Sequence, residues 1–122
     1  MTAKILIVDD NESVAEYFSD LLISNGFHTT VFTNSKKALD YCKTNLHQYK
    51  LVISDICMPG LTGDQLAKEI LNIDSNMPII LCSGYMEHTS KEQLLNMGIK
   101  DFMDKPINSS KLLTIIDELN LC

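Results

Sequence analysis

Five short apolar runs alternate with five stretches whose apolar residues recur at helical spacing. Ile5-Leu6-Ile7-Val8 is apolar without alternation, the pattern of a strand covered on both faces. Over residues 11–25, Val14, Phe18, Leu21 and Leu22 share one helical face. Ser13 and Glu16 offer that helix a capping box, and Gly26 offers it a left-handed close. Residues 28–32 form a weaker second strand, and residues 35–46 a helix with Ala38, Leu39, Cys42 and Leu46 inward. Leu51-Val52-Ile53 is the third strand. The loop Met58-Pro59-Gly60 follows, then a helix over residues 64–73 with Leu66, Ile70 and Ile73 inward. Pro78 opens the fourth strand, through Cys82, where its missing donor is tolerated. A short helix over residues 91–97 stops at Gly98, and residues 101–103 form a very short fifth strand. Residues 109–120 form the last helix, striped by Leu112, Leu113, Ile116 and Leu119.

Strand followed by helix, five times over, predicts an α/β fold: a doubly wound, five-stranded parallel sheet with right-handed crossovers. The strand order expected is 2-1-3-4-5. No internal repeat, low-complexity tract or linker interrupts the chain, so residues 1–122 read as one domain. The last helix runs to the end, and no output domain is expected after it.

Composition narrows the function classes. The chain has 10 basic residues, all lysine, against 16 acidic ones, for a net charge of −6. Nucleic-acid binding rests on phosphate neutralisation by a basic face, so an acidic chain without arginine is not expected to bind it directly. No apolar run approaches the roughly 18 residues of a membrane span, and the N-terminus lacks a signal-peptide pattern. Cys42, Cys57, Cys82 and Cys122 form no C-x-x-C pair, and no histidine stands at metal-site spacing from them. A cytoplasmic location with reduced thiols is expected, with Cys42 and Cys82 as small buried hydrophobes. His28, His47 and His88 are scattered and read as surface residues.

In an open parallel sheet, sites form beyond the carboxyl ends of the strands, where the strand order reverses. Asp9, Asp10 and Asn11 follow the first strand, Ser54 and Asp55 the third, Ser83 and Gly84 the fourth, and Asp104, Lys105 and Pro106 the fifth. Strands 1 and 3 would be neighbours about 4.8 Å apart, so Asp9 or Asp10 would lie within a few ångströms of Asp55. Carboxylates that close need compensation. A hard cation such as magnesium provides it, taking oxygen ligands from one or two carboxylates and a phosphate. Lys105, about 10 Å away by strand spacing, can reach inward along its stem, and Ser83 offers a hydroxyl between. Carboxylate, cation, hydroxyl and ammonium together make a seat for a phosphoryl group, and a carboxylate can itself be phosphorylated.

With those residues in view, the sequence resembles the receiver domain of bacterial two-component response regulators over essentially its whole length. The resemblance rests on Ile5-Leu6-Ile7-Val8-Asp9-Asp10, on the segment from Asp55-Ile56-Cys57-Met58-Pro59-Gly60 to Leu61-Thr62-Gly63, on Leu81-Cys82-Ser83-Gly84 and on Asp104-Lys105-Pro106. It implies a flavodoxin-like fold, and a phosphoacceptor that is no enzyme beyond assisting its own phosphorylation and slow dephosphorylation. Asp55 would take the phosphoryl group from a histidine kinase or histidine phosphotransfer protein. Asp10, Asp55 and the backbone carbonyl of Cys57 would ligate magnesium, with Asp9 acting through water. Lys105 would contact the phosphoryl oxygens, and the Lys105–Pro106 bond would be cis. Ser83 would move toward the phosphoryl group and Phe102 turn inward behind it. That motion would repack the face of helix 4, strand 5 and helix 5 for a downstream effector.

Phe102 stands where tyrosine is common in that family, so the aromatic lever stays and its hydroxyl is lost. Ser83 replaces a common threonine and keeps the hydroxyl. Cys57 and Tyr85 would flank the water that hydrolyses the phosphoaspartate. Val14 and Ile107 are candidates for kinase docking or for plain packing. Three other classes compete. A haloacid-dehalogenase-type hydrolase resembles a pattern with a second acid two residues past the nucleophile, where this chain has Cys57. A flavin carrier needs a hydroxyl- and glycine-rich phosphate loop where Asp9-Asp10-Asn11-Glu12 stands. A degenerate receiver acting as an unphosphorylated interaction module would not be expected to keep every acceptor-site residue.

Overall fold

The computed structural model describes residues 3–84 and 91–121. Tyr85, His88 and Cys122 lie outside the described residues. The strands are β1 (Lys4–Val8), β2 (His28–Phe32), β3 (Leu51–Asp55), β4 (Ile79–Ser83) and β5 (Asp101–Asp104). The helices are α1 (Glu12–Ser24), α2 (Ser35–Asn45), α3 (Gly63–Ile73), α4 (Lys91–Asn96) and α5 (Ser109–Leu119), with a 3-10 turn over Leu46–Gln48. All pairings are parallel, and the order is β2-β1-β3-β4-β5, as the alternation predicted.

Two apolar layers sandwich the sheet. Leu6, Val8, Val52, Ile79, Leu81 and Phe102 pack with Ala38, Cys42, Leu66 and Ile70 on one side. Ile5, Ile7, Leu51, Ile53, Ile80 and Met103 pack with Phe18, Leu22, Leu112 and Ile116 on the other. This two-sided burial is why β1, β3 and β4 lack polar alternation. β2 is less buried, and the exposed Val31 marks it as an edge. Val14 and Ile107 are half-buried against the second layer. Cys42 and Cys82 are buried and form no disulfide.

Local chemistry at the helix ends departs from the expectation in two places. Asn11, not a Ser13–Glu16 capping box, starts α1: its Oδ1 accepts from the amides of Ser13 and Val14 at 3.0 and 3.2 Å. Asparagine is among the strongest N-cap residues, and Asn11 stands immediately before Glu12, the first residue of α1. Ile73 is 44% exposed rather than inward, because Leu66, Ala67 and Ile70 complete the buried stripe of α3. Gly26 closes α1 as expected. At φ +91° it donates to the Ile23 carbonyl while Phe27 donates to that of Leu22, a Schellman arrangement.

Candidate functional site

The carboxyl ends of β1, β3, β4 and β5 converge on one cleft. β1 delivers Asp9 and Asp10, and β3 delivers Asp55 beside Cys82 of β4. Carboxylate oxygens of Asp9, Asp10 and Asp55 all lie within 4.8 Å of one another. Asp9 and Asp55 are buried, whereas Asp10 faces solvent. Just past β5, the Lys105 ammonium donates to Asp9 Oδ2 at 3.0 Å and lies 3.2 Å from Asp55 Oδ1. The amide of Lys105 donates to the Ser83 carbonyl at 2.9 Å, which ties the lysine's backbone to β4. The Lys105–Pro106 bond is cis.

Ser83 is fully buried at the end of β4, its hydroxyl 4.0 Å from the Cys57 thiol. Cys57 itself is exposed. Phe102 of β5 is buried in the first apolar layer, with Leu66 and Ile70. The structure therefore brings Asp9, Asp10, Asp55 and Lys105 together, places buried Ser83 next to exposed Cys57, and leaves Phe102 in the apolar layer.

The electrostatics follow from that packing. Burial raises the Asp55 carboxyl above its ordinary range, the Asp9 charge adds to this, and Lys105 opposes it. Burial works against the Lys105 ammonium, but hydrogen bonding to Asp9 and the charges of Asp55 and Asp9 outweigh it, so its pKa is raised. Three acids share one amine, so the cleft has room in charge as well as in donor type for a divalent cation. The donors are all oxygen, the set that a hard ion such as Mg2+ takes. Among the described residues, no cysteine or histidine joins the cluster. The carboxylates therefore fit such an ion.

The loop leaving Asp55 is held by contacts the residue pattern did not reveal. Gly63 donates to the Ile56 carbonyl at 2.8 Å. A Cβ at Gly63 would sit 2.0 Å from the Asp55 carbonyl oxygen, so only glycine lets α3 begin there. The sequence marks Gly63 merely as turn chemistry; the demand on it comes from a non-local approach. The pairing of Lys105 with Asp9 also has no local sequence signal, because the two stand 96 positions apart.

A shallow groove of about 600 Å³ lies at the opposite end of the sheet, lined by Ala3, Phe27, Leu113 and Leu121, with Asp117 the one carboxylate among the described lining residues. Charged groups converge instead in the acidic cleft of Asp9, Asp10, Asp55 and Lys105. Among the described residues, no helix is long and apolar enough to cross a membrane.

Comparisons with known proteins point the same way. The family model described as the response regulator receiver domain matches residues 5–117. The chain is similar to the chemotaxis protein CheY of Bacillus subtilis, with 34% identity over 119 residues, covering 97% of this chain and 98% of the relative. It is 30% identical over 114 residues to the phosphoglycerate transport system transcriptional regulatory protein PgtA of Salmonella typhimurium. There the match covers 93% of this chain but spans only 27% of the relative's length. Among solved structures, the CheX–CheY–BeF3–Mg2+ complex of Borrelia burgdorferi contains a chain with TM-score 0.88 and 25% identity, covering 97% of this chain and 89% of that one.

Proposed function

The chain belongs to the response regulator receiver domain family, whose members are phosphoacceptors of two-component signalling, and on that premise we propose that Asp55 is its acceptor. The donor in this reading is a phosphohistidine on a histidine kinase or phosphotransfer protein. The observation that carries it is the convergence of Asp9, Asp10 and Asp55 within 4.8 Å, with Lys105 bridging Asp9 and Asp55.

In this reading an Asp55 carboxylate oxygen forms a bond to phosphorus as the phosphorus–nitrogen bond of the donor breaks. The electron pair of that bond leaves with the imidazole nitrogen. Asp10, Asp55 and the main-chain carbonyl of Cys57 would hold Mg2+, with Asp9 acting through water. When bound, the ion supplies positive charge to the phosphoryl oxygens. Lys105 exchanges its contact with Asp55 for one with a phosphoryl oxygen, and Ser83 donates its hydroxyl to another. The chain has no arginine, so phosphoryl recognition rests on the point charge of Lys105, the metal and neutral donors. With Ser83 drawn toward the new group, the inward position of Phe102 is held and the face of α4, β5 and α5 repacks for its effector. Cys57 borders the path of the water that later hydrolyses the acyl phosphate.

The proposal extends to a single receiver unit over residues 1–122 working in the cytoplasm. Its test is metal-dependent labelling by acetyl phosphate. Asp10→Ala is expected to abolish Mg2+-dependent labelling while circular dichroism shows an intact fold. Unchanged labelling of that variant would remove Asp10 from the site. An absence of labelling in the wild type with every donor would leave the module reading, a receiver that binds partners without phosphate.

A further inference from the structure

Ser54 is a poor strand former placed inside a buried strand. Its ladder neighbours are Val8 on β1 and Leu81 on β4, and it shares its face of β3 with Val52. It is 1% exposed. A valine here would suit both the strand and the apolar layer better. A buried hydroxyl in such surroundings is costly unless it is bonded. The Ser54 hydroxyl donates to the main-chain carbonyl of Asp55 at 2.9 Å.

That carbonyl sits at a junction. One residue on, Ile56 donates to the Cys82 carbonyl at 2.9 Å and accepts from Gly63 at 2.8 Å. Gly63 presses so closely on the Asp55 carbonyl that no Cβ fits between them. The backbone of residues 55–56 is thus fixed on one side by β4 and on another by the start of α3. Ser54 adds a side-chain hydrogen bond to the Asp55 carbonyl itself. The direction of the Asp55 carboxylate depends on that peptide's orientation, as does the path of the main chain on to Cys57.

We infer that Ser54 is a positioning residue for the acceptor: its hydroxyl locks the Asp55 peptide so that the carboxylate points at the metal and the incoming phosphorus. This inference rests on the acceptor reading of Asp55. A misplacement of about 1 Å in such a site can cost two orders of magnitude in rate, so the lock acts on rate as well as on stability.

The matched pair Ser54→Thr and Ser54→Val tests it, since the two side chains have the same shape and only threonine carries the hydroxyl. Labelling by acetyl phosphate is measured at saturating Mg2+, well below the unfolding transition and normalised to folded protein. Mg2+ affinity is measured in parallel by calorimetry. We expect the threonine variant to label about tenfold faster than the valine variant and to bind Mg2+ several-fold more tightly. Equal rates and equal affinities in the pair would overturn the inference, because a purely structural hydroxyl would change only the folded fraction. If either variant fails to fold, Ser54→Ala is compared with the wild type, and an equal normalised rate again overturns it. A wild type that does not label, with a pair that still differs in Mg2+ affinity, would sink the acceptor reading and keep the positioning role.

Discussion

Replacing Asp55 by asparagine is expected to stabilise the metal-free protein at neutral pH, although it removes an ion pair. The Asp55 carboxylate lies within 4.8 Å of those of Asp9 and Asp10. At an effective dielectric constant near 20, each such pair repels by at least ~3.5 kcal/mol. Against this, the Lys105 ammonium at 3.2 Å from Asp55 Oδ1 attracts by about 5 kcal/mol. The balance is about 2 kcal/mol of net repulsion, and solvent screening at the exposed Asp10 reduces it to about 1 kcal/mol. Burial works in the same direction, since asparagine carries no charge to desolvate. In a domain of this size, about 1 kcal/mol corresponds to a rise of roughly 4 °C in Tm. The folded protein holds the Asp55 proton more tightly than the unfolded chain does, because its carboxyl is raised above 3.8. Wild-type stability relative to Asp55→Asn therefore falls as pH rises through the window between 3.8 and the raised folded value, and levels off above it. Below that window the advantage of the variant vanishes. Urea or thermal denaturation in EDTA at pH near neutral and at acidic pH measures this directly. Added Mg2+ should reverse the order by stabilising the wild type more, by about 2.7 kcal/mol at a hundred times its dissociation constant. An Asp55→Asn variant no more stable than wild type in EDTA at neutral pH would refute the charge argument.

Other outcomes follow from single contacts. Asn11→Ala removes the acceptor of the Ser13 and Val14 amides and should cost about 1 kcal/mol in urea unfolding, with Asn11→Asp nearly neutral. Gly63→Ala forces a Cβ into the Asp55 carbonyl and should destabilise by about 3 kcal/mol or more, with labelling lost in whatever fraction folds; a variant with wild-type stability would contradict the close approach. A thiol reagent with peptide mapping should modify Cys57 in the folded protein. Cys42 and Cys82, whose thiols burial raises to about 11 and about 12, should react only after unfolding, and their rapid native modification would count against the packing.

The strands were legible because burial on both faces writes itself as unbroken runs such as Ile5–Val8, and the β-α alternation leaves few topologies. The convergence of Asp9, Asp10, Asp55 and Lys105 was legible for the same reason. Once the strands are ordered, the residues that follow them must meet at one end of the sheet. What stayed hidden depends on three-dimensional packing that no local pattern encodes. Nothing near Gly63 says that its Cα will abut the Asp55 carbonyl, and nothing near Ser54 says that its hydroxyl will bind that same group. The start of α1 was misread for a more local reason, because Asn11 and Ser13 both suit a cap and only the backbone geometry chooses between them. Ile73 fits the apolar period of α3 yet lies beyond the surface that α3 buries.

The central claim is that Asp55 carries the phosphoryl group. Wild type and Asp55→Asn, incubated with acetyl phosphate and Mg2+, can be compared by intact mass, peptide mapping and hydroxylamine treatment. The expected result is one phosphoryl group on the wild type, on the peptide containing Asp55, released by hydroxylamine as an acyl phosphate, and no such group on the variant. An equal hydroxylamine-labile label on both proteins, or a label mapped to another carboxylate, would contradict it.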